Sequence, residues 1–458
     1  MKKKAKQTQP KFFLLTLGCP KNVVDSDGMS DLLLDANYRP TDDPAAADVL
    51  LVNTCGFLQA AKDESIGMLQ ELAANKRRGQ LLIAAGCMAQ RFGEQISREV
   101  DGLDGVIGTR AWADIVPFIR KLRDSRRTRR TPLYHLPETG DTPVDTIALP
   151  RTMSLNQTSA YLKISDGCSA PCAFCTIPSF KGPNRSRPRE LILQEAQRLV
   201  ENGVQEIIII AQDTTAYGRD RGEQDGLPSL LTDIIEAAPD LRWLRLMYAY
   251  PGHASDRLLD VMAAHPQILP YIDMPLQHGH PDTLRRMNRP HNVEKVLRWI
   301  ERFRAQMPGA VFRTTFIVGY PGETETEFQG LLDFISAAQF DRVGAFTFSP
   351  EPGTPAFDLP DQIDDETKSE RWERLMVLQQ PISLARNQSL VGQTLDVLVE
   401  GVGDGVSITR SYRDAPEVDG YVIIEQELSP GEIVPALVTG AMEYDLLAVP
   451  ADRPLMVK

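Results

Sequence analysis

The chain has 458 residues, 42% of them apolar and 24% charged, the balance of a soluble globular protein with room for two or three cores. Fifty Lys and Arg stand against 62 Asp and Glu, a formal net charge of -12, which argues against bulk nucleic-acid binding and suits a basic protein partner. No apolar run reaches membrane length, the run Phe12 to Leu17 is too short for an export signal, and a chain this long needs no disulfide staples, so the cytoplasm is the expected compartment.

Residues 11–122 read as the first unit. Three apolar runs each close on a cysteine: KFFLLTLGC at Cys19, ADVLLVNTC at Cys55 and QLLIAAGC at Cys87. The helical patterns GMSDLLLDAN and DESIGMLQELAANKR lie between them, so strand and helix alternate. Parallel strands joined by right-handed crossovers end on one edge of their sheet, which brings the three cysteines together. Any one of them taken singly reads as a small buried residue; the three at one edge, flanked by Gly18, Gly56 and Gly86, read as a set of thiolates for an iron-sulfur cluster. Residues 123–149 read as a linker, with the basic run Arg120 to Arg130 as a solvated face leading into a Pro- and Thr-rich strap.

Residues 150–387 repeat a strand-then-helix unit six times, with strands expected at Ala160 to Ile164, Glu206 to Ala211, Leu241 to Tyr248, Leu269 to Pro275, Val311 to Val318 and Val343 to Phe348. That rhythm predicts a partial or complete parallel barrel. Directly after the first strand come Cys168, Cys172 and Cys175, spaced C-x3-C-x2-C. Zinc usually needs a fourth ligand at a matching distance, and the nearest downstream histidine is His253. Three thiolates on an iron-sulfur cube leave its fourth iron open, which points to chemistry rather than electron storage. Polar residues at the other strand ends, Gln212, Asp213, Tyr248, Tyr250, Gln277, His278, Arg313 and Thr315, are expected to face the same mouth. Each has a plainer reading: Asp213 as a helix cap, for example, or His278 as a hydrogen-bonded structural residue. Residues 388–458 are short, Gly-punctuated and β-rich, a small antiparallel barrel of about five strands. From 391 to 458 there are 4 Lys and Arg against 12 Asp and Glu, a surplus that repels phosphates.

The loop around Cys168, Cys172 and Cys175 resembles the cluster motif of the radical S-adenosylmethionine enzymes. The whole chain is similar to the methylthiotransferases of that superfamily, an α/β architecture with an N-terminal cluster domain, a central partial (βα) barrel and a C-terminal all-β TRAM domain. LGCPKNVVDSD, QDTTAYG, RMNRPH, GYPGETE, FSPEPGTPAF and RSYRDAPEVDG resemble the member that modifies small-subunit ribosomal protein S-twelve. The resemblance implies two 4Fe-4S clusters, a radical-generating one on Cys168, Cys172 and Cys175 and an auxiliary one on Cys19, Cys55 and Cys87. S-adenosylmethionine would serve as methyl donor and as source of a 5'-deoxyadenosyl radical, which takes hydrogen from the β-carbon of an aspartate. Gln212, Asp213 and Arg313 are the candidate S-adenosylmethionine contacts. Expected partners are the ribosomal protein and a low-potential electron donor such as flavodoxin, with no membrane and no nucleic acid as direct substrate. The acidic C-terminal domain is expected to dock the basic ribosomal protein, with Asp414, Glu417 and Asp419 among the carboxylates involved. Two other readings stay open: a tRNA adenosine methylthiotransferase, and an iron-sulfur electron carrier without turnover.

Overall fold

A computed structural model describes residues 9–125, 131–138 and 157–451; residues 126–130 of the basic run and most of the Pro- and Thr-rich strap lie outside them. The first unit is a six-stranded, all-parallel sheet of β1 (Lys11–Thr16), β2 (Arg39–Pro40), β3 (Val49–Thr54), β4 (Leu81–Ala85), β5 (Gly105–Gly108) and β6 (Leu133–His135), in the order β2-β1-β3-β4-β5-β6. Its helices are α1 (Pro20–Asp35), α2 (Gln59–Ala74), α3 (Gly86–Glu99) and α4 (Ile115–Ser125). The period-2 alternation of β3 decides the layering: Val49 and Leu51 pack with Met29 and Leu33 of α1 and with Ile119 of α4. Leu50 and Val52 face the other way, onto Ile66 and Leu69 of α2 and Ile96 of α3. Burying each such side chain contributes about 1.5–3 kcal/mol. The helix α4 runs to Ser125, and β6 comes from the segment read as a linker, where Leu133 and Tyr134 pair with Gly105 and Val106 and cover an otherwise open sheet edge.

The central unit contains β7 (Ser159–Lys163), β8 (Ser165–Asp166), β9 (Arg185–Ser186), β10 (Glu206–Ile210), β11 (Trp243–Leu246), β12 (Ile268–Asp273), β13 (Val311–Val318) and β14 (Arg342–Thr347). Six of these, in the order β14-β13-β12-β11-β10-β7, form an open parallel sheet with neighbours in chain order. It is therefore a partial barrel, and the helices α5 (Ile177–Lys181), α6 (Arg189–Glu201), α7 (Gly226–Ala237), α8 (Asp256–Ala264), α9 (Pro281–Arg286), α10 (Val293–Gln306) and α11 (Glu325–Ala338) fall among these strands in sequence. Ile207, Ile209, Leu244 and Phe312 bury one face under this layer. On the opposite face, Ile208, Ile210, Leu269, Tyr271 and Val311 join Val24 of α1 and Leu398 and Ala415 of the C-terminal unit in one apolar cluster. That cluster holds all three units together.

The helix α12 (Asp365–Gln388) leads into a closed barrel of β15 (Thr394–Gly403), β16 (Val406–Ser411), β17 (Val422–Ile424), β19 (Leu446–Pro450) and β18 (Ile433–Ala441), in that order. Four of its five contacts are antiparallel, and β17 with β19 is parallel. Charge docks it onto the central sheet: Glu206 lies 2.6 Å from both Arg245 and Arg410, and Arg342 lies 2.7 Å from Asp414. Burial pushes the Glu206 carboxyl up, but the two guanidiniums outweigh it and hold the group down at about 2. Two expected docking residues are corrected here. Asp414 and Asp419 are consumed inside the molecule, by Arg342 and by Arg313 and Tyr271, and of the three only Glu417 is exposed. Among the described residues no helix is long and apolar enough to cross a membrane.

Candidate functional site

The loop carrying Cys168, Cys172 and Cys175 is closed at its base by the antiparallel pairing of β8 with β9. Local tethers then fix its path: Cys168 N donates to Gly182 O at 3.0 Å, Ala173 N to Met287 O at 2.9 Å, and Asn288 Nδ2 to Pro171 O at 2.8 Å. Arg289 adds a cation. Its Nη1 donates to Cys172 Sγ at 3.6 Å, its Nη2 bonds Pro275 O, and its guanidinium lies over the Tyr250 ring, 4.4 Å from the centroid.

The other three cysteines sit where strand ends place them. Cys19 caps the N-terminus of α1, Cys55 follows β3, and Cys87 lies in the first turn of α3 directly after β4. The approach is close: a Cβ added to Gly18 would stand 2.6 Å from Cys55 Cβ and 2.8 Å from its sulfur. The Cys87 thiol donates to Asn22 Oδ1 at 3.6 Å, while Asn22 Nδ2 bonds Leu17 O and Thr54 O, tying the ends of β1 and β3 together. Gly86 has φ +96, a conformation open to glycine, and a Cβ there would meet Asn53 Oδ1 at 2.2 Å.

Both sets are partly desolvated. Burial pushes the Cys168 thiol up to about 11 and Cys175 and Cys87 up to about 12, and raises Cys55, with the neighbouring cysteines adding to each shift. Arg289 beside the first set and Lys181 beside the second oppose it. Clustered soft thiols that resist ionisation in water-poor surroundings fit a ligand that itself supplies positive charge, as iron does. All six cysteines are free thiols. Beside the loop, Thr176 Oγ1, Asn184 Oδ1 and Gln212 Oε1 are buried acceptors with no partner among the described residues, which fits a bound molecule carrying N–H or O–H donors.

Charged residues clamp the two units around these sets. Asp25 of α1 lies 2.5 Å from Lys163 Nζ and 3.6 Å from Lys181 Nζ, and Lys181 also reaches Asp166 at 3.1 Å. On another side Arg91 meets Glu351 at 3.0 Å, and Gln59 N donates to the same carboxylate. The segment after β11 runs between the sites: the Tyr248 ring lies under Lys21, two residues from Cys19, and the Tyr250 ring under Arg289, which donates to Cys172 Sγ.

Of the remaining sequence candidates, Gln212 stands next to the loop, its Nε2 on Asp166 Oδ1 at 3.1 Å. Asp213 is buried and serves as a cap, accepting from Ala216 N and Thr215 Oγ1, with His253 Nδ1 2.9 Å from its other oxygen. Arg313 is held between Asp273 at 2.6 Å and Asp419 at 3.3 Å. His278 is buried, with Nδ1 accepting from His280 N and Nε2 3.5 Å from Glu323. Sequence reasoning did not single out Lys21, Asp25, Lys163, Lys181 or Arg289. Lys163 and Lys181 flank the cysteine motif and Arg289 lies in RMNRPH, yet no spacing rule marks them as buried cations.

Known proteins resemble the chain along its full course. Residues 11–108 match the Uncharacterized protein family UPF0004, residues 162–335 the Radical SAM superfamily and residues 391–450 the TRAM domain. A protein of Chloroflexus aurantiacus named ribosomal protein uS12 methylthiotransferase RimO is 50% identical, over 95% of this chain and 98% of its own. Proteins of the same name from Roseiflexus sp. and Synechocystis sp. are 47% and 43% identical, over 97% and 95% of this chain and 98% and 97% of theirs. The fold is similar to the radical S-adenosylmethionine methyltransferase TsrM from Kitasatospora setae, solved with cobalamin and a [4Fe-4S] cluster, at TM-score 0.54 and 14% identity over 90% of this chain and 82% of that one. The chain belongs to the RimO family of radical S-adenosylmethionine methylthiotransferases, which work with an iron-sulfur cluster and S-adenosylmethionine.

Proposed function

We propose that the chain methylthiolates the β-carbon of an aspartate in ribosomal protein uS12, the substrate for which its relatives are named, with two 4Fe-4S clusters, one on Cys168, Cys172 and Cys175 and an auxiliary one on Cys19, Cys55 and Cys87. The carrying observation is that Tyr248 and Tyr250, two residues apart after β11, each lie under a cation beside a different cysteine set: Lys21, two residues from Cys19, and Arg289, which donates to Cys172 Sγ. A substrate side chain entering beside this short segment would be flanked by both sets. The clusters, when bound, supply one-electron cleavage of S-adenosylmethionine at the first set and sulfur donation at the second.

The rest falls to side chains. An unactivated C–H bond offers no acidic proton to a base, so the residues around it position and shield rather than take part in acid-base catalysis. Gln212, with Asn184 and Thr176, would hold S-adenosylmethionine through its buried acceptors. Asp213 would act one step back by orienting His253, and Arg313 by fixing Asp273. Three units, 11–122 extended by β6, 150–387 and 388–458, divide the work. The exposed carboxylates Asp404, Glu425 and Glu432 of the last unit suit a basic protein partner in the cytoplasm, and a low-potential donor of the flavodoxin kind would supply electrons.

The test is anaerobic reconstitution with iron and sulfide, then dithionite, S-adenosylmethionine and either uS12 or tRNA, followed by mass spectrometry. A methylthio gain on an aspartate of uS12 is expected; a gain on tRNA adenosine alone would overturn the substrate and leave the chemistry.

A further inference from the structure

Lys21 is a cation that the fold does not account for. It stands in the first turn of α1, where the helix carries no acidic residue and where its dipole disfavours a positive charge. It is partly exposed, and among the described residues no carboxylate lies within ion-pair distance of its ammonium. Its ammonium sits over the Tyr248 ring, with Nζ 3.4 Å from the centroid. Tyr248 itself is held at φ +60, rare for a bulky residue, by Thr214 N and Oγ1 on its carbonyl and by Asp273 Oδ2 on its amide. The protein thus maintains a strained tyrosine to aim a ring at a lysine two residues from Cys19. Asp273 on the barrel side is committed to Arg313 at 2.6 Å and acts on Lys21 only from beyond ion-pair distance.

We propose that Lys21, seated on Tyr248, receives the carboxylate of the substrate aspartate and so selects a carboxylate-bearing side chain at the reacting position. This rests on the functional reading above. Tyr248 fixes the height of the ammonium, and the carboxylate completes the coordination that the ring leaves open. An uncharged group of the same shape would leave the ammonium desolvated without a counter-charge, which is a strong basis for rejection. The same chemistry could come from the carboxylate of S-adenosylmethionine. The position of Lys21 beside Cys19, rather than beside the loop of Cys168, Cys172 and Cys175, favours the substrate.

The experiment measures binding by the reconstituted holoenzyme of two synthetic peptides from the modified loop of uS12, one with the target aspartate and one with asparagine in its place. The wild type should prefer the aspartate peptide by about tenfold or more, as expected for a charge-assisted contact. Lys21→Met should bind the two within about twofold of each other, and Lys21→Arg should keep part of the preference. Because each preference is a ratio within one protein, a general loss of folded enzyme cancels. An unchanged preference in Lys21→Met overturns the assignment, as does equal loss of both peptides, which would make Lys21 part of the scaffold. A fall in S-adenosylmethionine affinity with the preference intact assigns the carboxylate to that molecule instead, and also overturns it. A wild type that binds neither peptide but modifies tRNA is the distinct signature of a failed functional reading, and the assignment falls with it.

Discussion

The two cysteine sets are the same donor type assembled in opposite ways. Cys168, Cys172 and Cys175 share one short loop, pinned at its base by β8 and β9 and along its course by Met287 and Asn288. Cys19, Cys55 and Cys87 come from three separate strand ends, joined by the register of the parallel sheet and by side chains such as Asn22, which bonds Leu17 O and Thr54 O, and Thr54, whose hydroxyl donates to Ala85 O. The first set is a property of local chain; the second is a property of the fold. A loop of a few residues needs little entropy to close, whereas the N-terminal set exists only after two crossovers have formed and packed. The loop set therefore depends on distant chain through its tethers to Met287 and Asn288, whereas the assembled set is exposed to any fault in the sheet.

The largest expected effect separates the sets outright. Cys172→Ala should abolish 5'-deoxyadenosine formation and Cys87→Ala should retain it while losing methylthio transfer, each lowering bound iron from about eight to about four per chain. Iron analysis beside product assays checks this, and loss of all iron in either variant would show the sets to be interdependent. Gly86→Ala comes next, forcing a side chain into a left-handed position against Asn53 and Thr54. It should destabilise the N-terminal sheet by about 2–4 kcal/mol and deplete auxiliary iron selectively, leaving S-adenosylmethionine cleavage in place. Denaturant melts with iron counts read both.

An effect confined to stability comes from a region touching neither set. Glu206→Gln strips the counter-charge from Arg245 and Arg410 and should cost about 3–5 kcal/mol as the C-terminal barrel loosens, with both iron counts unchanged. The carboxyl titrates lower in the folded protein than its ordinary 4.5, so its contribution is fully present above that value and is lost as pH falls toward about 2. Acid titration followed by tryptophan fluorescence should therefore show a larger loss for the wild type than for the variant, and equal losses would place the acid-sensitive group elsewhere.

Much of this molecule was legible in the chain. The apolar runs ending at Cys19, Cys55 and Cys87 announced parallel strands, and six strand-helix repeats announced the partial barrel, because period-2 and period-3.6 burial leave a direct imprint on residue order. The spacing of Cys168, Cys172 and Cys175 needed no structure at all, since a short loop fixes its own geometry. What the sequence could not assign were charges whose partners lie far away. Asp25 meets Lys163 across 138 positions, and Asp414 meets Arg342 across 72, turning an expected docking carboxylate into an interior strut. Arg313 likewise pairs with Asp273 and Asp419. Nor could it show Lys21 resting on Tyr248. Local spacing encodes what a segment buries, whereas ion pairing depends on which surfaces finally meet, and only the packed tertiary structure decides that.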